Sequence, residues 1–112
     1  MSLEIIISLK PLSVNQAYKG KLKKRPALLV YEKALGFLLP RAKVDFKDKE
    51  LAVEITYGFS SRGSDIDNPN KPLIDALSKK YGFNDNQIYN LRTIKTIVGK
   101  GKEFIKVSIR MI

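Results

Sequence analysis

Leu51, Val53, Ile55, Tyr57 and Phe59 recur at two-residue spacing, with Glu54 and Thr56 between them. In an extended chain successive side chains point to opposite faces, so this run predicts a strand over 50–59 with one strongly apolar face. Such a face must be buried against another layer, and the rest of the sequence supplies the partners.

Leu3, Ile5, Ile7 and Leu9 alternate with Glu4, Ile6 and Ser8, which predicts a first strand over 3–9, ended by Pro11. Leu28, Tyr31, Leu35 and Leu38 fall at helical spacing from Ala27 to about Leu39, and Pro40 stops that helix. A second helix starts between Pro69 and Pro72, carries Leu73, Ile74, Ala76 and Leu77 as its apolar side, and ends near Lys80 with Gly82 as the stop. Residues 87–98 and Glu103–Ile109 read as strands, joined by Gly99-Lys100-Gly101 as a hairpin turn. Residues 10–26 show no periodicity and read as a basic loop. The expected architecture is α+β in the order β-α-β-α-β-β, a mixed sheet of about four strands packed against two helices. With 112 residues, 44% of them hydrophobic, the chain fits a single domain over 1–112 with one modest core.

Cysteine and histidine are both absent. Their absence excludes disulfides, thiolate zinc sites, cysteine nucleophiles and histidine bases, leaving carboxylates, lysines, hydroxyls or an oxygen-held metal for any chemistry. No apolar run approaches the roughly 18 residues needed to cross a bilayer, and the segment Leu3–Leu9 is too short and too acidic for a signal peptide. A cytoplasmic protein is the expectation.

Lys and Arg number 21 against 11 Asp and Glu, a net charge of +10, which points to a polyanionic partner, nucleic acid first. Between Asp65 and Ile88, however, four acids face three bases, so that stretch carries −1 and the remainder +11. Carboxylates repel phosphates, so an acidic island in a basic chain makes sense where a divalent cation sits between the two.

The island centres on Asp65-Ile66-Asp67-Asn68-Pro69-Asn70-Lys71. Where a strand gives way to a helix, the backbone turns, and carboxylates one residue apart can face one ion while Ile66 anchors the segment in the core. Asp67 or Asn68 also suits the N-cap of the second helix. A helix-loop-helix calcium loop is excluded, because Pro69, Asn70 and Ala76 occupy its required ligand, glycine and glutamate positions. Lys71, four residues from both Asp67 and Asp75, reads either as an ordinary surface ion pair or as a cation beside a reacting phosphate. Asp85, in Asn84-Asp85-Asn86, is equally compatible with plain turn chemistry.

Together, Asp65-Ile66-Asp67-Asn68-Pro69-Asn70-Lys71, Asp75-Ala76-Leu77 and Asp85-Asn86-Gln87-Ile88 resemble the core of the RusA family of Holliday junction resolvases. The family pattern is Asp-x-Asp-Asn-x-x-Lys, then Asp-Ala-Leu, then Asp-Asp-x-Gln-Ile or Val, with a lysine in the following strand, here Lys95. Pro11-Leu12-Ser13-Val14-Asn15-Gln16-Ala17-Tyr18 is similar to the family's Pro-x-Ser-x-Asn-x-x-Tyr stretch, so the resemblance covers nearly the whole chain. It implies a crossover junction endodeoxyribonuclease acting in DNA recombination and repair. Asp65, Asp67 and Asp85 would be the catalytic, metal-holding aspartates, Lys71 the catalytic lysine, and Mg2+ (or Mn2+) the cofactor. Asn84 departs from the pattern, standing where the family has the first acid of its pair, and Pro72 directly follows Lys71.

The run Lys19-Gly20-Lys21-Leu22-Lys23-Lys24-Arg25 is expected to contact DNA phosphates, with Asn15, Tyr18 and Lys95 as further DNA contacts. Paired nicks in a four-way junction call for a two-fold homodimer. Two alternatives stay open: a basic nucleic-acid-binding protein with a degenerate site, and a nuclease for other branched structures. The second helix, at roughly 15 Å for ten residues, also raises the question of how Asp85 reaches Asp67. Either the chain doubles back after Lys80, or the site borrows from a neighbouring subunit.

Overall fold

The computed structural model describes residues 2–12, 18–19, 23–24 and 26–112, with backbone only at 18–19 and 23–24. Strand β1 (Ser2–Ile7) is followed by a two-stranded ribbon, β2 (Tyr18–Lys19) paired with β3 (Lys23–Lys24), within the segment read from sequence as a loop. Helix α1 (Pro26–Leu38), strand β4 (Leu51–Phe59), helix α2 (Asn70–Tyr81), a 3-10 turn (Asp85–Gln87), and strands β5 (Ile88–Ile97) and β6 (Phe104–Met111) complete the order. Apart from the ribbon, this is the expected β-α-β-α-β-β succession in an α+β fold.

The main sheet has the order β1-β6-β4-β5. β4 is central, antiparallel to β6 and parallel to β5, while β1 pairs antiparallel with β6. The sheet is therefore mixed, and the expected β5–β6 hairpin does not exist. Gly99-Lys100-Gly101 does make a turn, with Lys102 N–H donating to Gly99 O at 2.9 Å and Gly101 at φ 89°. The connection nevertheless crosses the end of β4, to which Val98 N–H is tied through Phe59 O at 2.8 Å. A turn motif reports a reversal of direction, not which strand becomes the neighbour. β4 carries the most continuous apolar face, and it gains most from a partner on each side.

One face of the sheet is packed by the helices. Leu51, Val53, Ile55, Tyr57 and Phe59 of β4 join Ile105, Val107 and Ile109 of β6 and Ile5 and Ile7 of β1. Leu28, Tyr31 and Leu35 of α1 and Leu73, Leu77 and Tyr81 of α2 close the layer. Phe46, from the charged loop between α1 and β4, is wholly buried and meets Phe83 edge-on, with ring centroids 6.1 Å apart. The Tyr81 hydroxyl fixes the start of that loop by donating to Pro40 O at 2.6 Å.

α2 ends as its sequence predicts. Gly82 adopts the left-handed conformation at φ 71°, and its N–H returns to Ser78 O at 2.9 Å. Its start differs from expectation. Pro69 holds the N-cap position with helical torsions and no side-chain cap, so neither Asp67 nor Asn68 caps the helix. Pro69 and Pro72 lack N–H groups, Asn70 N–H is met by Asp67 O at 3.2 Å, and Leu73 N–H by Pro69 O at 3.2 Å. Little is left for a capping side chain to satisfy.

Candidate active site

The loop from β4 to α2 carries Asp65 and Asp67, and it is held at both ends. Ser61 O accepts the Ser64 N–H at 3.3 Å, which bends the segment just before Asp65. Lys95, on the helix-facing side of β5, reaches into that bend and donates to Arg62 O at 2.7 Å and Ser64 O at 2.5 Å. Its ammonium also lies 5.8 Å from the centre of the Phe59 ring. Past the acids, the Tyr57 hydroxyl donates to Asn70 Oδ1 at 2.5 Å and the Tyr31 hydroxyl to Pro69 O at 3.4 Å. Burial pushes both phenols well above their ordinary pKa, in Tyr57 with a further contribution from nearby Tyr31, so both remain donors.

Between the anchors, Asp65 Oδ1 accepts the Asp67 N–H at 3.0 Å, a local turn contact, and Ile66 packs against the core as expected. Asp65 and Asp67 are exposed.

Asp85 is set by a different device. Asn84 accepts the Asn86 N–H at 3.2 Å through Oδ1, and its own N–H donates to Gln87 Oε1 at 2.8 Å, a reciprocal cap on the 3-10 turn. Gln87 Nε2 then donates to Phe46 O at 2.7 Å and Lys49 O at 2.9 Å. Asn84 departs from the family's paired acids, yet the cap needs only a side-chain oxygen, which Asp and Asn both offer.

α2 returns from the end of β4 to the start of β5, so Asp67 lies before its first turn and Asp85 after its last. Asp67, Asn70, Lys71, Ile74, Asp75, Asp85, Asn86, Ile88 and Leu91 border one open hollow of about 660 Å3. Asp67 and Lys71 therefore line it beside the start of α2, and Asp85 lines it beyond the helix's end. Asp65 is not part of that lining. Lys71 makes an exposed ion pair with Asp75 at 3.7 Å, the surface pair that its four-residue spacing allows. In water such a pair is weak and easily exchanged.

The oxygen donors around the hollow, carboxylates and side-chain amides, match a hard divalent cation in kind. Among the described residues, no three acidic side chains are gathered closely enough to hold a metal ion. The acids border the hollow rather than converging on one point.

Of the expected DNA contacts, Asn15, Lys21 and Arg25 lie outside the described residues, and Tyr18, Lys19, Lys23 and Lys24 are placed by backbone alone. Lys95 is engaged with backbone carbonyls. Tyr57, Asn70 and Gln87 support the site and were not singled out from sequence. For Gln87 a signal existed, since Asn84-Asp85-Asn86-Gln87 has the spacing of a reciprocal cap. Among the described residues, no helix is long and apolar enough to cross a membrane.

No curated protein matches the chain. A family model described as endodeoxyribonuclease RusA matches residues 13–110, which takes in the Asp65–Lys71 segment, the Asp85–Ile88 turn and Lys95. A match of that extent means that the chain belongs to the RusA family of Holliday junction resolvases, a family of endodeoxyribonucleases acting on branched DNA.

Proposed function

We propose that this protein resolves four-way DNA junctions by paired, magnesium-dependent phosphodiester hydrolysis, in the service of recombination and repair. The observation that carries the reading is the common hollow of Asp67, Lys71 and Asp85, residues from two separate segments of a chain with net charge +10.

Asp65, Asp67 and Asp85 are the residues that would hold Mg2+, or Mn2+ in its place. Bound there, the ion supplies charge neutralisation at the scissile phosphate and a more acidic water. The chain's own contribution is orientation. Asp67 and Asp85 present exposed carboxylates from two rigidly held turns and can accept a proton from an attacking water at the hollow. Lys71, paired with Asp75 only through a solvent-screened contact, is able to turn its ammonium to the phosphate and stabilise charge that develops there. The basic run Lys19 to Arg25, with Asn15 and Tyr18, would hold the DNA arms through phosphate contacts. Two symmetric cuts are best delivered by a two-fold dimer.

A second reading, a junction-binding protein that does not cut, is favoured by the acids' bordering the hollow without converging. Wild type and Asp67→Asn, assayed on a synthetic four-way junction and a matched duplex with and without Mg2+, separate the two. Paired nicks in the junction alone, dependent on metal and reduced at least ~100-fold in the variant, are expected. Binding by both proteins with no cleavage, with or without Mg2+, supports the second reading.

A further inference from the structure

Lys95 lies where a DNA contact would be useful, yet its ammonium is already committed. Two of its three protons go to Arg62 O and Ser64 O, at 2.7 and 2.5 Å, and the charge sits against the face of Phe59. The two carbonyls flank Gly63 in the bend closed by Ser61 and Ser64, and the next residue is Asp65. Lys71, by contrast, is largely exposed, with 74% of its side chain accessible. The two lysines have different work.

We propose that Lys95 is a positioning residue, whose ammonium gathers the Arg62 and Ser64 carbonyls and so sets where Asp65 and Asp67 stand relative to the hollow. The proposal rests on the nuclease reading above. Two charge-assisted hydrogen bonds from one cation are stronger than neutral ones and draw the carbonyls to a single point. That point is fixed by the sheet, because Lys95 is paired in register with Tyr57 on the central strand. The position of the acids is thereby referred to β4 and β5 instead of to a loop alone. A phosphate could take only the third proton, and drawing the ammonium off its two carbonyls would release the bend beside the residues it is meant to serve.

The test compares wild type, Lys95→Met and Lys95→Arg in three assays. Lys95→Met keeps an apolar stem over Phe59 and removes the charge. In it, amide exchange across residues 62–67 is expected to quicken, while metal-free binding to a four-way junction keeps its affinity and its salt dependence. Single-turnover cleavage should fall by ~100-fold, the scale expected from a displacement of about 1 Å, with the half-saturating junction concentration unchanged. Lys95→Arg should recover part of the cleavage rate, which a generally loosened fold would not. A salt slope lowered by about one in Lys95→Met identifies a phosphate contact and overturns the assignment. Unchanged exchange or undiminished cleavage in that variant overturns it as well. A wild type that cuts no branched DNA overturns the nuclease reading and the positioning role together, whereas a cutting wild type with an equally active Lys95→Met overturns only the latter.

Discussion

Tyr57 and Lys95 are register partners across the parallel ladder of β4 and β5, and each holds one end of the loop that carries Asp65 and Asp67. Lys95 takes the carbonyls of Arg62 and Ser64, and Tyr57 takes the side chain of Asn70. A loop of ten residues is thus pinned to adjacent positions of one rigid sheet.

Removing the Tyr57 hydroxyl tests the far pin. Tyr57→Phe keeps the ring in the core and deletes the bond to Asn70 Oδ1. It is expected to cost about 1 kcal/mol in urea unfolding. Junction cleavage should fall while metal-free junction binding holds. Equal loss of both would mean that Tyr57 serves the fold without serving the site.

Alkaline pH should destabilise the protein through the same groups. Burial raises the Tyr57 and Tyr31 pKa values above the ordinary value of 10.0, so the unfolded chain releases those protons first. The contribution is fully present below about pH 10 and is lost as pH rises above it, because the native state then binds more protons than the unfolded one. Urea midpoints compared at about pH 8 and about pH 10.5 should show a decline, and the decline should be shallower in Tyr57→Phe and Tyr31→Phe.

Gln87 is expected to be more sensitive than a half-exposed polar residue usually is. Gln87→Leu leaves Phe46 O, Lys49 O and Asn84 N–H without their partner. A loss of about 1–3 kcal/mol follows from the unmet polar groups, with a fall in cleavage as the Asp85 turn loosens. Asn84→Asp, which keeps the capping oxygen, should leave stability within about 0.5 kcal/mol. Thermal unfolding of both variants, alongside the cleavage rate, is the check.

On the open face of the sheet, Gly58 lies against Phe104, its register partner on β6. A methyl group at Gly58 would overlap the Phe104 ring, so the ring must move. Gly58→Ala should destabilise by about 1–3 kcal/mol. In a double-mutant cycle, Phe104→Leu should relieve much of that cost. Strict additivity would show that the ring shifts freely.

The fold was legible wherever a pattern is local. Alternation in Leu51–Phe59 and helical spacing in α1 and α2 report which face each element buries, and Gly82 reports its own torsion. The partner of each strand was not legible. The glycines at 99 and 101 suggested a hairpin, whereas β5 and β6 flank β4 on opposite sides. Phe46 shows the same limit. It stands among Lys43, Asp45, Lys47, Asp48 and Lys49, yet it is fully buried, and its carbonyl receives Gln87 from 41 residues away. The acids and Lys71 could be read from the segment that holds them. The residues that position them could not, since their bonds run between elements.

Because β4 and β5 run parallel, the chain must leave one end of the sheet and re-enter at the other, with α2 covering the return. Asp67 precedes that helix and Asp85 follows it, so the number of residues in α2 is itself a dimension of the site. Each added or deleted residue shifts the far end by about 1.5 Å and turns it by about 100°. The gauge is twelve residues, and Gly82–Asn84 is the only slack before Asp85. An insertion or deletion within α2 would therefore move Asp85 relative to Asp67, whereas a substitution on its exposed face would leave their spacing unchanged.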